Sequence, residues 1–131
     1  MSDKSSVLRT FNTHFFEFVD DILNLFPSNP DLLTARKSFE TIKKVNPTAI
    51  LKAWNSLIYS PYIEQIENGN INFFFEKNYE NDLSYLANGG EIMKIIDSFR
   101  DPVKNMSDVN KMHTMKYIQN LSKLSTLYIS R

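Results

Sequence analysis

Between Leu8 and Phe26 the apolar side chains recur at steps of three and four residues. Leu8, Phe11, Phe15, Phe18, Ile22 and Leu25 form one row, and Phe16, Val19, Leu23 and Phe26 form a second row beside it. Such steps keep side chains on one side of a helix, so the spacing predicts a helix from about Ser6 to Phe26. Two adjoining rows make an apolar face wider than the seam of a two-stranded coiled coil. A face that wide has to be covered by more than one neighbour, which makes this helix a core element of a bundle. The run Pro27-Ser28-Asn29-Pro30 stops it.

The rest of the chain repeats the pattern. A second helix is expected from Pro30 or Asp31 to about Val45, with Leu32, Ala35, Phe39 and Ile42 inward. Asn46 is placed to cap a third helix with Pro47 at its first position, carrying Ile50, Leu51, Trp54, Leu57 and Ile58. Pro61 either kinks that helix or begins a fourth, which holds Tyr62, Ile63 and Ile66 and ends at Asn68-Gly69-Asn70. Ile71 to Tyr79 can be read as a buried strand or as helix. With no second strand-like segment to pair with, helix is favoured. Short helices are expected from Asn81 to Leu86 and from Glu91 to Arg100, with Asp101-Pro102 as an interruption. Ser107 and Asp108 begin the last helix, where Val109, Met112, Met115, Ile118, Leu121, Leu124 and Leu127 fall every third residue. A step of three lags a helical turn by about 60° each time. This apolar stripe therefore winds around its helix and meets neighbours on several sides, within the bundle or on another chain.

The fold class that follows is all-α: a single compact bundle of about six or seven helices with long first and last members. The 131 residues, 42% hydrophobic and 23% charged, suit one globular domain spanning 1–131, with residues 1–5 as a polar tail. There is no cysteine, which excludes a disulfide framework, thiol catalysis and cysteine-ligated metals. No signal peptide or membrane-spanning run is evident, so an intracellular, soluble product is expected. The net charge of zero argues against a chain devoted to wrapping nucleic acid. The charge is nonetheless uneven. From Glu64 to Asp97 acidic residues dominate, and from Lys104 to Arg131 basic ones do.

Few side-chain groups invite chemistry. His14, Glu17 and Asp21 share one face of the first helix at i, i+3 and i+7. A helix-bundle metal site takes Glu-x-x-His from two helices plus further carboxylates. Here the order is reversed and no second copy exists, so the triplet reads as a solvated stripe, and no metal or cofactor is expected. His113 has no carboxylate on its own face to work with. The turn Asn88-Gly89-Gly90 is followed by Glu91, which sets a negative charge where a bound phosphate needs a positive end. No catalytic constellation is present, and a non-enzymatic protein is expected. Two candidate partner-binding groups remain. One is Trp54, Tyr59 and Tyr62 beside Tyr79, since Trp and Tyr are enriched at interfaces as well as at core edges. The other is Lys111, Lys116 and Lys123 on the last helix.

The stretches Phe11-Asn12-Thr13-His14-Phe15-Phe16-Glu17-Phe18, Pro102-Val103-Lys104-Asn105-Met106 and Met115 to Ser125 carry a resemblance. Together they resemble a family of small helical proteins encoded by giant nucleocytoplasmic DNA viruses of the mimivirus and phycodnavirus kind. The resemblance supplies no catalytic motif to carry over. It implies a viral product made in the host cytoplasm or packaged in the virion. The functional expectation is a structural or interaction protein, a virion component or assembly factor, acting through a protein partner or self-association and not on a membrane. The alternative is a nucleic-acid-associated accessory factor using the basic last helix.

Overall fold

The computed structural model describes residues 3–72, 74, 95 and 97–130, whose regular elements are all helical, with no strand among them. Helix α1 (Lys4–Leu25) begins at Asp3, whose carboxylate accepts from the Ser6 N–H at 2.7 Å. That bond holds the Asp3 carboxyl below its usual range. Helix α2 (Pro30–Val45) is capped by Asn29, which accepts from the N–H groups of Asp31 and Leu32, with Pro30 in its first turn as the sequence predicts.

Helix α3 (Ala49–Ala53) starts two residues later than expected. Asn46 folds its side chain onto the Thr48 N–H and hydroxyl, closing a turn through Pro47 before the helix begins. From there the chain runs on through a π turn (Trp54–Tyr59), a 3-10 turn (Ser60–Tyr62) and helix α4 (Ile63–Glu67) without leaving helical space. Pro61 explains the irregularity. It has no N–H to donate, and its ring crowds the carbonyl four residues back, so a regular ladder cannot pass. The backbone widens before the proline, with the Ser60 N–H reaching Asn55, and then tightens. Gly69, with φ +73°, ends the run in the left-handed conformation that glycine adopts most readily.

Helix α5 (Arg100–Lys104) corrects one expectation. Pro102 does not interrupt the chain but sits inside the first turn of this short helix, where a missing N–H has no partner to lose. The break falls earlier, at Ser98 and Phe99. Helix α6 (Asp108–Ile129) is capped by Ser107, which accepts from the Asn110 N–H. With the run from α3 to α4 counted as one, the described residues form five helical segments, fewer than the six or seven expected. Asn72, Phe74, Ile95 and Asp97 are helical, whereas the expected helix from Asn81 to Leu86 lies outside the described residues.

The two long helices, α1 and α6, run antiparallel. Lys4 lies over the Tyr128 ring at one end, Phe18 meets Tyr117 near the middle, and Leu25 and Asn110 share a cleft at the other end. Helix α2 returns along α1, with Asn12 donating to the Pro47 carbonyl, Phe15 against Phe39, and Asp20 holding Arg36. Trp54 enters between these layers. Phe11, Phe15 and Phe18 meet its ring edge-on at 6.2–6.5 Å, and its indole N–H donates to the Ser122 hydroxyl at 3.0 Å. Buried Phe74 and Phe99 belong to the same apolar core as α1, α2 and α6.

Candidate partner-binding face on the last helix

Helix α6 divides sharply by side. Its inner side buries Thr114, Met115, Ile118, Leu121, Ser122 and Ser125. The serines are as informative as the apolar residues. Ser122 and Ser125 are small enough for the π turn to approach closely, and both accept across the seam, Ser122 from Trp54 and Ser125 from Asn55 at 3.1 Å. Beside them Gln119 donates to the Ile66 carbonyl, fixing the end of α4 to α6.

The outer side is a straight line of exposed residues: Val109, Met112, Lys116, Asn120, Lys123 and Leu127. The every-third-residue stripe winds as its spacing requires. It starts outward at Val109 and Met112, passes through the core at Met115, Ile118 and Leu121, and emerges at Leu127. Val109 is 63% exposed, Met112 64% and Leu127 44%. Val109 and Met112 thus form a small apolar patch at one end of the line, and Leu127 stands at the other.

The sequence-derived partner residues fare unequally. Trp54 and Tyr62 are only 2% and 6% exposed and belong to the core, and Tyr59 is half-buried, with its hydroxyl donating to Glu67. The aromatic group is therefore not a docking surface. Trp54 and Tyr62 share the buried side of this run with Ile50, Leu57, Ile58 and Ile66, and the indole N–H has its acceptor inside. Tyr79 lies outside the described residues. Lys116 and Lys123 are exposed on the outer line, seven residues apart and so nearly superposed along the helix. Lys111 does not join them. Five residues before Lys116, it points about 140° away and is half-buried. Among the described residues Lys116 and Lys123 have no ion-pair partner.

Two members of the polar triplet on α1, His14 and Asp21, meet α6 at Tyr117, while Glu17 is exposed and borders the cleft between α1 and α2. The Tyr117 hydroxyl donates to Asp21 at 2.5 Å, and the His14 ring lies 4.8 Å from the Tyr117 ring. Burial, aided by the Asp21 and Glu17 charges, pushes the Tyr117 hydroxyl up to about 12. With Asp21 accepting from Tyr117, the three side chains are not poised around one point. Among the described residues no group of three His, Asp or Glu is arranged to hold a metal ion. No described helix is long and apolar enough to cross a membrane.

Two clefts flank α1. One, of about 390 Å³, opens between α1 and the start of α6, bordered by Asp21, Leu25, His113 and Tyr117. The other, of about 460 Å³, lies between α1 and α2 around the Phe16 ring. Arg36 and Lys43 sit 5.5 and 5.4 Å from that ring, and Arg36 also pairs with Asp20 and Glu40. Asn12 at its floor is 4% exposed, and its Oδ1 has no hydrogen-bond partner among the described residues. Sequence reasoning missed this cleft, because Arg36 and Asp20 carry no mark of their pairing until α1 and α2 are laid together. Comparison with protein-family models, with curated proteins and with solved structures found no match.

Proposed function

We propose that this protein works by binding and not by chemistry, as a non-enzymatic interaction or structural protein whose partner is another protein. The observation that carries the reading is the exposed apolar set Val109, Met112 and Leu127, aligned with Lys116 and Lys123 on the outer side of α6. The inner side of that helix is occupied by packing and hydrogen bonds, so what the outer side offers is contact area with a charge pattern. Of the polar triplet on α1, Asp21 accepts from Tyr117 and the His14 ring packs against the same ring. The nucleic-acid alternative draws on the same lysines, but Lys111 faces away from the other two. Two aligned lysines make few phosphate contacts.

The viral resemblance supplies the proposed setting: a virion component or assembly factor of the infected host cytoplasm. Mass measurement of the purified chain in solution, together with mass spectrometry of purified particles, tests the reading. Self-association, or a fixed stoichiometry in particles, supports it. A strict monomer absent from particles overturns it.

A further inference from the structure

Resting on that binding reading, we propose a specific chemistry for the partner: a helix with two carboxylates about 10 Å apart between apolar ends, lying along the outer face of α6. The face itself dictates these terms. Val109, Met112, Lys116, Asn120, Lys123 and Leu127 follow at steps of three and four, so they form a straight row about 27 Å long and not a winding one. A straight exposed row at helical period is the surface that another helix covers side by side. The apolar residues stand at its two ends, and the cations lie between them, about 10 Å apart along the axis. No acidic residue interrupts the row. Carboxylates at i and i+7 of the partner meet both ammonium groups at once. Apolar side chains beyond them cover Met112 and Val109 at one end and Leu127 at the other, and the lysine stems add apolar contact beneath their charged heads.

A second copy of this chain docking through the same face is a poor occupant. Pairing two α6 outer faces gathers four lysines in one seam with no carboxylate on either row to offset them.

The test uses the full chain and a fluorescent synthetic helix of about five turns, with Glu at i and i+7 and Leu at both ends. Saturable binding by anisotropy is expected. The double variant Lys116→Glu/Lys123→Glu is expected to weaken it about tenfold or more, and a peptide with both Glu changed to Lys restores binding to that variant. Both positions are exposed, so circular dichroism of the variant should match the parent. Met112→Glu, which keeps the lysines, is expected to weaken the acidic peptide as well, because apolar contact is part of the match. Three results overturn the proposal: no preference for the Glu peptide over its Lys counterpart, no restoration by the charge swap, or lysine-dependent binding confined to phosphatidylserine vesicles or duplex DNA. If the peptide fails while the chain self-associates or is found in particles, the docking chemistry falls and the binding reading stands.

Discussion

Tyr117 packs its ring against Phe18 and His14 while its hydroxyl donates to Asp21, so one side chain joins the middle of α6 to the polar side of α1. The bond requires the neutral phenol. In the unfolded chain a tyrosine ionises near pH 10, whereas in the fold burial and the Asp21 charge raise Tyr117 to about 12. Below about pH 10 both states are protonated and the contribution is complete. As pH rises from there toward about 12, the unfolded state releases its proton first, and the stabilisation is lost. Tyr117→Phe is therefore expected to lower neutral-pH stability by about 1 kcal/mol. It should also flatten the decline of urea midpoints across that alkaline window, and equal slopes for parent and variant would refute the assignment. Gly69 is a second residue whose role is local. Its φ of +73° is costly for any side chain, although a Cβ there meets only Gln119 Nε2 at 3.7 Å. Gly69→Ala is thus expected to cost about 1–2 kcal/mol from backbone conformation and not from crowding. Thermal unfolding measures it, and a neutral effect means the turn relaxes.

At the level of elements, the contact between α6 and the run from α3 to α4 depends on small side chains where sequence patterning looks for large ones. Ser122 is almost wholly buried, accepts from the Trp54 indole and donates to the Ile118 carbonyl. Ser122→Ala leaves the indole N–H without its acceptor, at about 1–3 kcal/mol. Ser122→Leu adds crowding against the π turn, about 1–3 kcal/mol more. The leucine variant should be the less stable in urea, with Trp54 emission shifted as its ring is displaced. If leucine is tolerated as well as alanine, the close approach is not a constraint. The same seam shows why the sequence was legible in some places and silent in others. Helix spans were readable because Phe11, Phe15, Phe18 and Ile22 keep one period over many turns, and Pro30 and Ser107 mark helix starts through their own neighbours. For Trp54 and Tyr62 the sequence leaves both a core and an interface place open, with the core favoured, because aromatic composition is the same at a core edge and at an interface. Their burial is settled by the elements packed against this run, Phe11, Phe15 and Phe18 of α1 and Ser122 of α6 around Trp54. Ser122, Asn12 and the Arg36–Asp20 pair were invisible, since their partners lie on other elements. The candidate face was half legible. The three-residue step already required Val109 and Leu127 to leave the core side, and the five-residue gap already separated Lys111 from Lys116, but which side of α6 would be left uncovered depended on α1 and α4.

For the molecule as a whole, the position of Trp54 makes a claim about cooperativity. This one tryptophan is surrounded by Phe11, Phe15 and Phe18 of α1, and its N–H is held by α6, so its environment exists only while both long helices are docked. Helices of 22 residues can retain some structure alone, whereas the run from α3 to α4, interrupted by a π turn and a 3-10 turn at Pro61, has no regular stretch long enough to do so. Its order must come from packing in the shared core, which includes Trp54, Leu57, Ile58 and Ile66 along with Phe39 of α2. Loss of that packing should therefore release the short helices and the tryptophan in one step. Urea unfolding followed by Trp54 emission and by far-ultraviolet circular dichroism is expected to give coincident midpoints and slopes. Trp54→Phe is expected to lower the midpoint, because the Ser122 hydroxyl loses its donor and the smaller ring leaves part of the space unfilled. A tryptophan transition that precedes the loss of helix signal would mean that α1 and α6 hold together without the α3–α4 run between them. The core would then be two loosely coupled parts, and the outer face of α6 would rest on a support that moves under it.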